Sequence, residues 1–221
     1  MSEDTRVPPG NVLRYSFPER LVHWLAGFSY VYLMLTGLAF WSPWLFWLAF
    51  ALGGGTISRE LHPWVGLIFV VAVLLMFRMW HAQMHETAVD KEWWNAIPHY
   101  IRNEDELVPT VGRFNAGQKV LFWGFLWCGI FLLLSGLILW FPNWVPWSLR
   151  YLRYIAVIVH PSLALITIGL FIIHVFMGLA MERGAFISMT RGYVTIAFAK
   201  RYHGLWYNRV ADDSSAKNEA P

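Results

Sequence analysis

His160-Pro-Ser-Leu-Ala-Leu-Ile-Thr-Ile-Gly-Leu-Phe-Ile-Ile-His174 lies inside a run from Tyr154 to Met181 that holds no Asp, Glu, Lys or Arg. The run exceeds the about 20 residues a helix needs to cross a bilayer. Its two histidines are 14 residues apart. At 100° per residue they return to within about 40° of one another, so both imidazoles share one side of the helix. At about 1.5 Å per residue they stand about 21 Å apart along the axis, one near each membrane face. An ionisable side chain inside a membrane is costly and marks function by default. The bland alternative, an imidazole that only hydrogen-bonds a neighbouring helix, weakens when two histidines share one face.

Composition places the rest of the chain in the same setting. Of 221 residues, 57% are hydrophobic and 14% charged, against about 25% charged in soluble domains; mean hydropathy is +0.44. The 14 Trp, nine Tyr and 16 Phe suit interfacial belts and packing around a large flat ligand. The net charge of +3 comes from Lys and Arg scattered over membrane-flanking segments, which gives no nucleic-acid signature. A single cysteine, Cys128, excludes a disulfide, a cysteine zinc site, an iron–sulfur ligand set and covalent c-type haem within this chain. No cleavable signal peptide is visible, so the first span is expected to act as the insertion signal.

Four spans follow from the apolar runs, at about residues 21–41, 61–79, 120–141 and 154–181. Residues 1–19 read as a polar arm. Ser42-Pro43 onwards reads as an interfacial connector closed by Gly53-Gly54-Gly55, with Ser58 as the cap of the second span. Residues 88–110, where Trp93, Trp94 and Tyr100 alternate with charges, read as an amphipathic stretch on the membrane surface. Residues 182–221 form a basic and aromatic tail whose end, from Asp212, reads as disordered. The expected fold is all-α, an integral membrane four-helix bundle forming one domain over 1–221. Four spans put both termini on one side. Of the 17 Lys and Arg, all but Arg59, Arg150 and Arg153 fall on the terminal side, so both termini are expected in the cytoplasm.

Helix direction then assigns depth. His23 opens the first span and His174 closes the fourth, both near the inner face. His62 opens the second and His160 opens the fourth, both near the outer face. The pairs His23/His174 and His62/His160 each join two helices at one depth, the arrangement that ligates a haem iron from both sides. Two strong axial ligands leave no open position, which suits electron transfer rather than small-molecule activation. Gly27, Gly37 and Gly66 lie near the histidine faces, where either a flat ring or ordinary helix packing accounts for them. Thr167 lies between His160 and His174, most simply back-bonded to its own helix. Arg20, Arg59, Arg150 and Arg153 are placed for carboxylates of a cofactor or for topology alone. His81 and His85 read as interfacial, His99 and His203 as solvated.

Arg20-Leu-Val-His23-Trp24, Arg59-Glu-Leu-His62-Pro63, Gly112-Arg-Phe-Asn115-Ala-Gly117-Gln118-Lys119 and the His160 to His174 helix together resemble the cytochrome b (gamma) subunit of membrane-bound respiratory formate dehydrogenases. The resemblance covers about residues 12–209. It implies two b haems held by His23, His62, His160 and His174, and a quinone site near the inner haem at Asn115, Gln118 and His174, for menaquinone or ubiquinone. It implies an electron-transferring, quinone-reducing subunit in a bacterial inner membrane. Its partners would be an iron–sulfur subunit and a molybdenum or tungsten catalytic subunit; formate oxidation itself would lie outside this chain. The residues alone also read Asn115 as a helix N-cap with Gln118 three positions on, a capping box; the two roles are compatible. The alternatives are the cytochrome b subunit of a hydrogenase or another molybdenum oxidoreductase, or a haem-free membrane anchor.

Overall fold

The computed structural model describes residues 7–182 and 184–219, with side chains to residue 212. Helices dominate: α1 (Phe17–Trp41), α2 (Trp47–Ala51), α3 (Gly55–Trp80), α4 (Ala88–Asn95), α5 (Ile97–Ile101), α6 (Ala116–Trp140), α7 (Tyr151–Phe176), α8 (Ala185–Arg191), α9 (Ile196–Tyr202) and α10 (Gly204–Glu219). Four of them, α1, α3, α6 and α7, are long and apolar enough to cross a membrane. Large apolar side chains such as Phe28, Val71, Phe131 and Ile158 remain exposed on them. That outer surface suits lipid, where every backbone group must be paired within the segment. The all-α membrane fold is as expected from the apolar runs.

The helix starts lie earlier than the apolar runs, because capping residues set them. Ser16 precedes α1: its N–H and hydroxyl donate to Glu19 Oε2 at 2.8 and 3.0 Å, so the Glu19 carboxylate closes back on the residue before the helix as in one half of a capping box. The connector turns at Gly53 and Gly54, with φ of 96° and 99°, a left-handed conformation that favours glycine. α3 then begins at Gly55, so Ser58 lies inside the helix, its N–H bonded to Gly54 O at 3.0 Å; it is not the cap. α10 runs on through Glu219, where the polar composition had suggested disorder. No Gly or Pro interrupts 205–219, and Ala, Lys and Glu there favour helix.

Cα packing groups the chain into two compact units. The unit of Leu21–Met79 and Trp123–Ile173 contains an aromatic knot. The Tyr30 ring of α1 meets Phe69 of α3, Phe125 of α6 and Phe171 of α7 at centroid distances of 5.7, 5.8 and 5.0 Å. One side chain thus contacts all three other spans, within the range where aromatic pairs add to area burial.

The unit of Met1–Arg20, Trp80–Phe122 and His174–Pro221 is held differently. Strands β1 (Asn11–Leu13) and β2 (Tyr193–Thr195) pair antiparallel, Val12 opposite Val194. The segments before the first span and after the last are therefore joined. Gly192, at φ 93°, accepts the N–H groups of Arg14 and Tyr15 at 2.8 and 2.9 Å; a Cβ there would stand 2.9 Å from Tyr15 O. Glu19 gathers the Trp80 indole N–H at 2.6 Å and the Arg113 guanidinium at 2.8 Å. Trp93 and Tyr100 pack with Val111 and Ala116 in a buried cluster, while Trp94, Ile101 and Leu107 of the same segment stay exposed.

An ion pair is buried in this unit. Lys119 Nζ lies 2.6 Å from Asp90 Oδ2, with side chains 11% and 3% exposed. Burial pushes the Asp90 carboxyl up, but hydrogen bonds from Lys119 and Thr87 outweigh it and hold the group below the ordinary carboxylate range. A depressed carboxyl contributes stability above its unfolded pKa, about 4, and loses it as pH falls toward the folded value. Asp90→Asn leaves a buried ammonium without its counter-charge, at a cost of about 3–5 kcal/mol. Thermal melts in detergent are expected to show a lower Tm for Asp90→Asn at pH 7, and a smaller gap from the parent protein at pH 3.

Candidate functional site

Two of the four predicted histidines meet in the structure. His62, eight positions into α3, and His160, ten positions into α7, present rings 6.4 Å apart between centroids. Each is followed by a proline inside a continuing helix, Pro63 and Pro161. At that separation His62 and His160 are the residues that would hold a cofactor iron between α3 and α7. Among the described residues no group of three or more His, Cys, Asp or Glu could hold a metal ion.

A hydroxyl meets each ring. Thr36 Oγ1 lies 2.7 Å from His62 Nδ1, and Ser135 Oγ lies 3.0 Å from His160 Nδ1. The same hydroxyls lie 2.8 Å from Tyr32 O and 2.6 Å from Phe131 O. Where a hydroxyl gives its one hydrogen to the helix carbonyl, it accepts from Nδ1–H, and Nε2 is the nitrogen that would hold a metal. Thr36 is fully buried and Ser135 nearly so, so these bonds are shielded from water. They are the orienting partners that metal-bound histidines usually have.

Glycines flank the rings. A Cβ on Gly136 would stand 3.2 Å from His160 Cε1, and one on Gly37 would stand 3.8 Å from His62 Cε1. Gly27 faces open space, and Gly66 lies near Leu33. Thr167 donates to Ala164 O at 2.8 Å, the back-bond that its position suggested. Arg150 lies over the Trp147 ring at 4.3 Å, and Arg153 donates to Val145 O at 3.0 Å; Arg59 is exposed. Arg20 donates to Thr190 O at 2.7 Å.

The other two histidines are each placed on their own helix. His23 lies on α1, half-buried, edge-on to Trp24 at 5.8 Å. His174 lies in the last turn of α7. Asn115 and Gln118 come together at the start of α6. Gln118 N–H donates to Asn115 Oδ1 at 2.9 Å and Asn115 N–H donates to Gln118 Oε1 at 3.1 Å, so the capping box forms in full. The same two side chains donate their amides to Glu182, Asn115 Nδ2 to Oε1 and Gln118 Nε2 to Oε2, both at 3.0 Å.

Glu182 is a residue that the sequence reading passed over. It is the acid that ends the charge-free run from Tyr154, and that position was its one signal. A π-helical turn, Met177–Met181, follows α7 and aims it: Glu182 N–H donates to Met177 O at 2.8 Å. Such turns recur at functional sites. Burial raises the Glu182 carboxyl above its ordinary range, against the Arg14 guanidinium and the Asn115 amide, which favour the charged form. His203, expected in solvent, is fully buried, its Nδ1–H donating to Gly112 O at 2.8 Å. His99 is exposed and bonded to Glu104 at 2.5 Å; His81 and His85 are exposed.

Four helices able to cross a membrane and a pair of neighbouring half-buried imidazoles are features of membrane-embedded b-type cytochromes. Comparison with known proteins agrees. The family model of the prokaryotic cytochrome b561 matches residues 14–192, and the chain belongs to that family. It is 33% identical over 210 residues to the formate dehydrogenase cytochrome b556(fdo) subunit of Escherichia coli K12, covering 94% of this chain and 97% of the relative. It is 30% identical over 213 residues to the nitrate-inducible formate dehydrogenase cytochrome b556(Fdn) subunit of the same strain, covering 95% of both. A formate dehydrogenase cytochrome b556 subunit of Haemophilus influenzae is 30% identical over 209 residues, 94% of this chain and 84% of the relative.

The family implies haem b, and the His62–His160 geometry fits it. Hydrogen bonding from Nδ1–H to a hydroxyl makes the imidazole a stronger donor to iron. Thr36→Val removes the hydroxyl at His62 Nδ1. The expected result is a more positive midpoint potential for a haem that His62 would hold, with haem affinity weakened about 10–100-fold, read by optical redox titration and pyridine haemochrome content.

Proposed function

We propose that this chain is the dihaem cytochrome subunit of a formate dehydrogenase complex, carrying electrons from an iron–sulfur partner across a bacterial inner membrane to quinone. The nearness of His62 and His160, each with a buried hydroxyl against its Nδ1, carries this reading. The relatives named as formate dehydrogenase subunits support the choice of complex. A molybdenum or tungsten subunit would oxidise formate, and this chain would only pass the electrons on.

His62 and His160 would hold one haem near the outer face, and His23 and His174 a second near the inner face. When bound, the haems supply one-electron carriers. The protein's own residues do the rest. Thr36 and Ser135 orient the two rings, and Nε2 of each would ligate. The apolar spans exclude water around the rings, which favours electron transfer over hydrolysis or oxygen chemistry.

Menaquinone or ubiquinone would bind by Asn115, Gln118 and His174. Each of the two amides has a second N–H beyond the one bonded to Glu182, and a quinone carbonyl accepts such a donor. Pairing of β1 with β2 brings the two terminal segments together, in keeping with both termini in the cytoplasm. Protons for quinone reduction would then come from that side.

Purified in its complex, the protein is expected to show low-spin b-type bands that titrate at two potentials. His160→Ala is expected to remove one of the two components and leave the other. A haem-free preparation, or one component that survives His160→Ala unchanged, would sink the reading.

A further inference from the structure

A small cavity lies beside Glu182, lined by Tyr100, Asn115, Glu182, Tyr202 and His203 among others. About 10 Å³ of it admits the centre of a water molecule, room for about one water. Its walls carry polar atoms that the fold leaves over. Tyr100 Oη and His203 Nε2 are buried without a hydrogen-bond partner among the described residues. Because His203 Nδ1–H donates to Gly112 O, Nε2 is a bare lone pair in the neutral ring, an acceptor. Tyr202 donates its hydroxyl to the half-buried Asp105. Tyr100 is raised by burial and by the neighbouring charges of Glu182, Tyr202 and Asp105, which places these four groups in one electrostatic cluster. A native fold rarely buries several unpaired polar groups around one space without use for them.

We propose that Glu182 is the proton donor to the quinone, recharged from the cytoplasmic side through Asp105, Tyr202 and the cavity bounded by Tyr100 and His203. This rests on the reading of Asn115 and Gln118 as the quinone site. Quinone reduction takes two electrons, supplied by the complex, and two protons. In each proton step the O–H bond of the Glu182 carboxyl breaks and an O–H bond forms on the reduced quinone oxygen. The resulting carboxylate is held by the amides of Asn115 and Gln118 until a proton passes back to it through the cavity. A carboxyl raised by burial is suited to this, since it keeps its proton to higher pH and still gives it up to a strong base. The groups facing it are Arg14 from the segment before α1, Asn115 and Gln118 from the start of α6, Tyr100 from α5 and His203 from the end of α9. Arg14 opposes the rise and limits it.

The test uses the complex purified from membranes, reduced with dithionite and mixed with menadione or a short-chain ubiquinone analogue, following the haem bands by stopped flow. The parent protein is expected to reoxidise more slowly as pH rises through the Glu182 titration. Glu182→Gln is expected to slow reoxidation at least about tenfold, to flatten that pH profile, and to leave haem content and potentials unchanged. Glu182→Asp should stay within a few-fold of the parent. Tyr202→Phe should slow the reaction and enlarge its solvent deuterium effect. If neither quinone reoxidises the parent protein, the quinone site itself is wrong. If the parent is reoxidised and Glu182→Gln matches it in rate and pH profile, the relay is wrong. Should Glu182→Gln assemble without haem, Tyr202→Phe decides: a rate and isotope effect equal to the parent's overturn the proposal.

Discussion

An imidazole N–H inside an apolar bundle has no water to bond, so the protein must supply an acceptor. At His62 and His160 a hydroxyl that also reaches a helix carbonyl one turn back lies against Nδ1. This single constraint does three things at once. It gives a buried ring nitrogen a partner, where an unpaired one would cost about 1–3 kcal/mol. It orients each ring. It also ties α1 to α3 and α6 to α7 at the level of the site. The haem-binding reading depends on it, because a ring free to rotate would not be a preorganised ligand.

The unit that carries Asn115 solves a different problem. Here charged and polar groups are buried without a surrounding apolar bundle, and each is answered by specific partners. Glu19 takes Trp80 and Arg113, Asp90 takes Lys119, and Glu182 takes two amides. Asn115 and Gln118, for which the family resemblance implies a quinone site, are thus both helix caps and anchors for a carboxyl group. One set of side chains sets the start of α6 and holds a titratable group beside it.

Much of the site was legible. His62 and His160 were paired by depth from helix direction alone, and the structure brings their rings together. Thr36 and Ser135 could have been suspected, since each lies about one and a half turns from the end of its span, at the depth of His62 and His160. Glu182 and His203 were not legible. Nothing local marks an acid just past a span, or a histidine in a basic segment, as buried. Ser58 misled because a polar residue after glycines resembles a cap; the left-handed pair at Gly53 and Gly54 starts the helix sooner.

The four spans and the histidines that share a face can be read from the chain, because apolar length and the 3.6-residue period are local properties. Which hydroxyl lies against each imidazole, the pairing of β1 with β2, and the burial of Glu182 against Asn115 and Gln118 arise only when the elements pack. These are contacts between residues 25 to 184 positions apart. Their geometry depends on how helices pack, and no period in the chain encodes it.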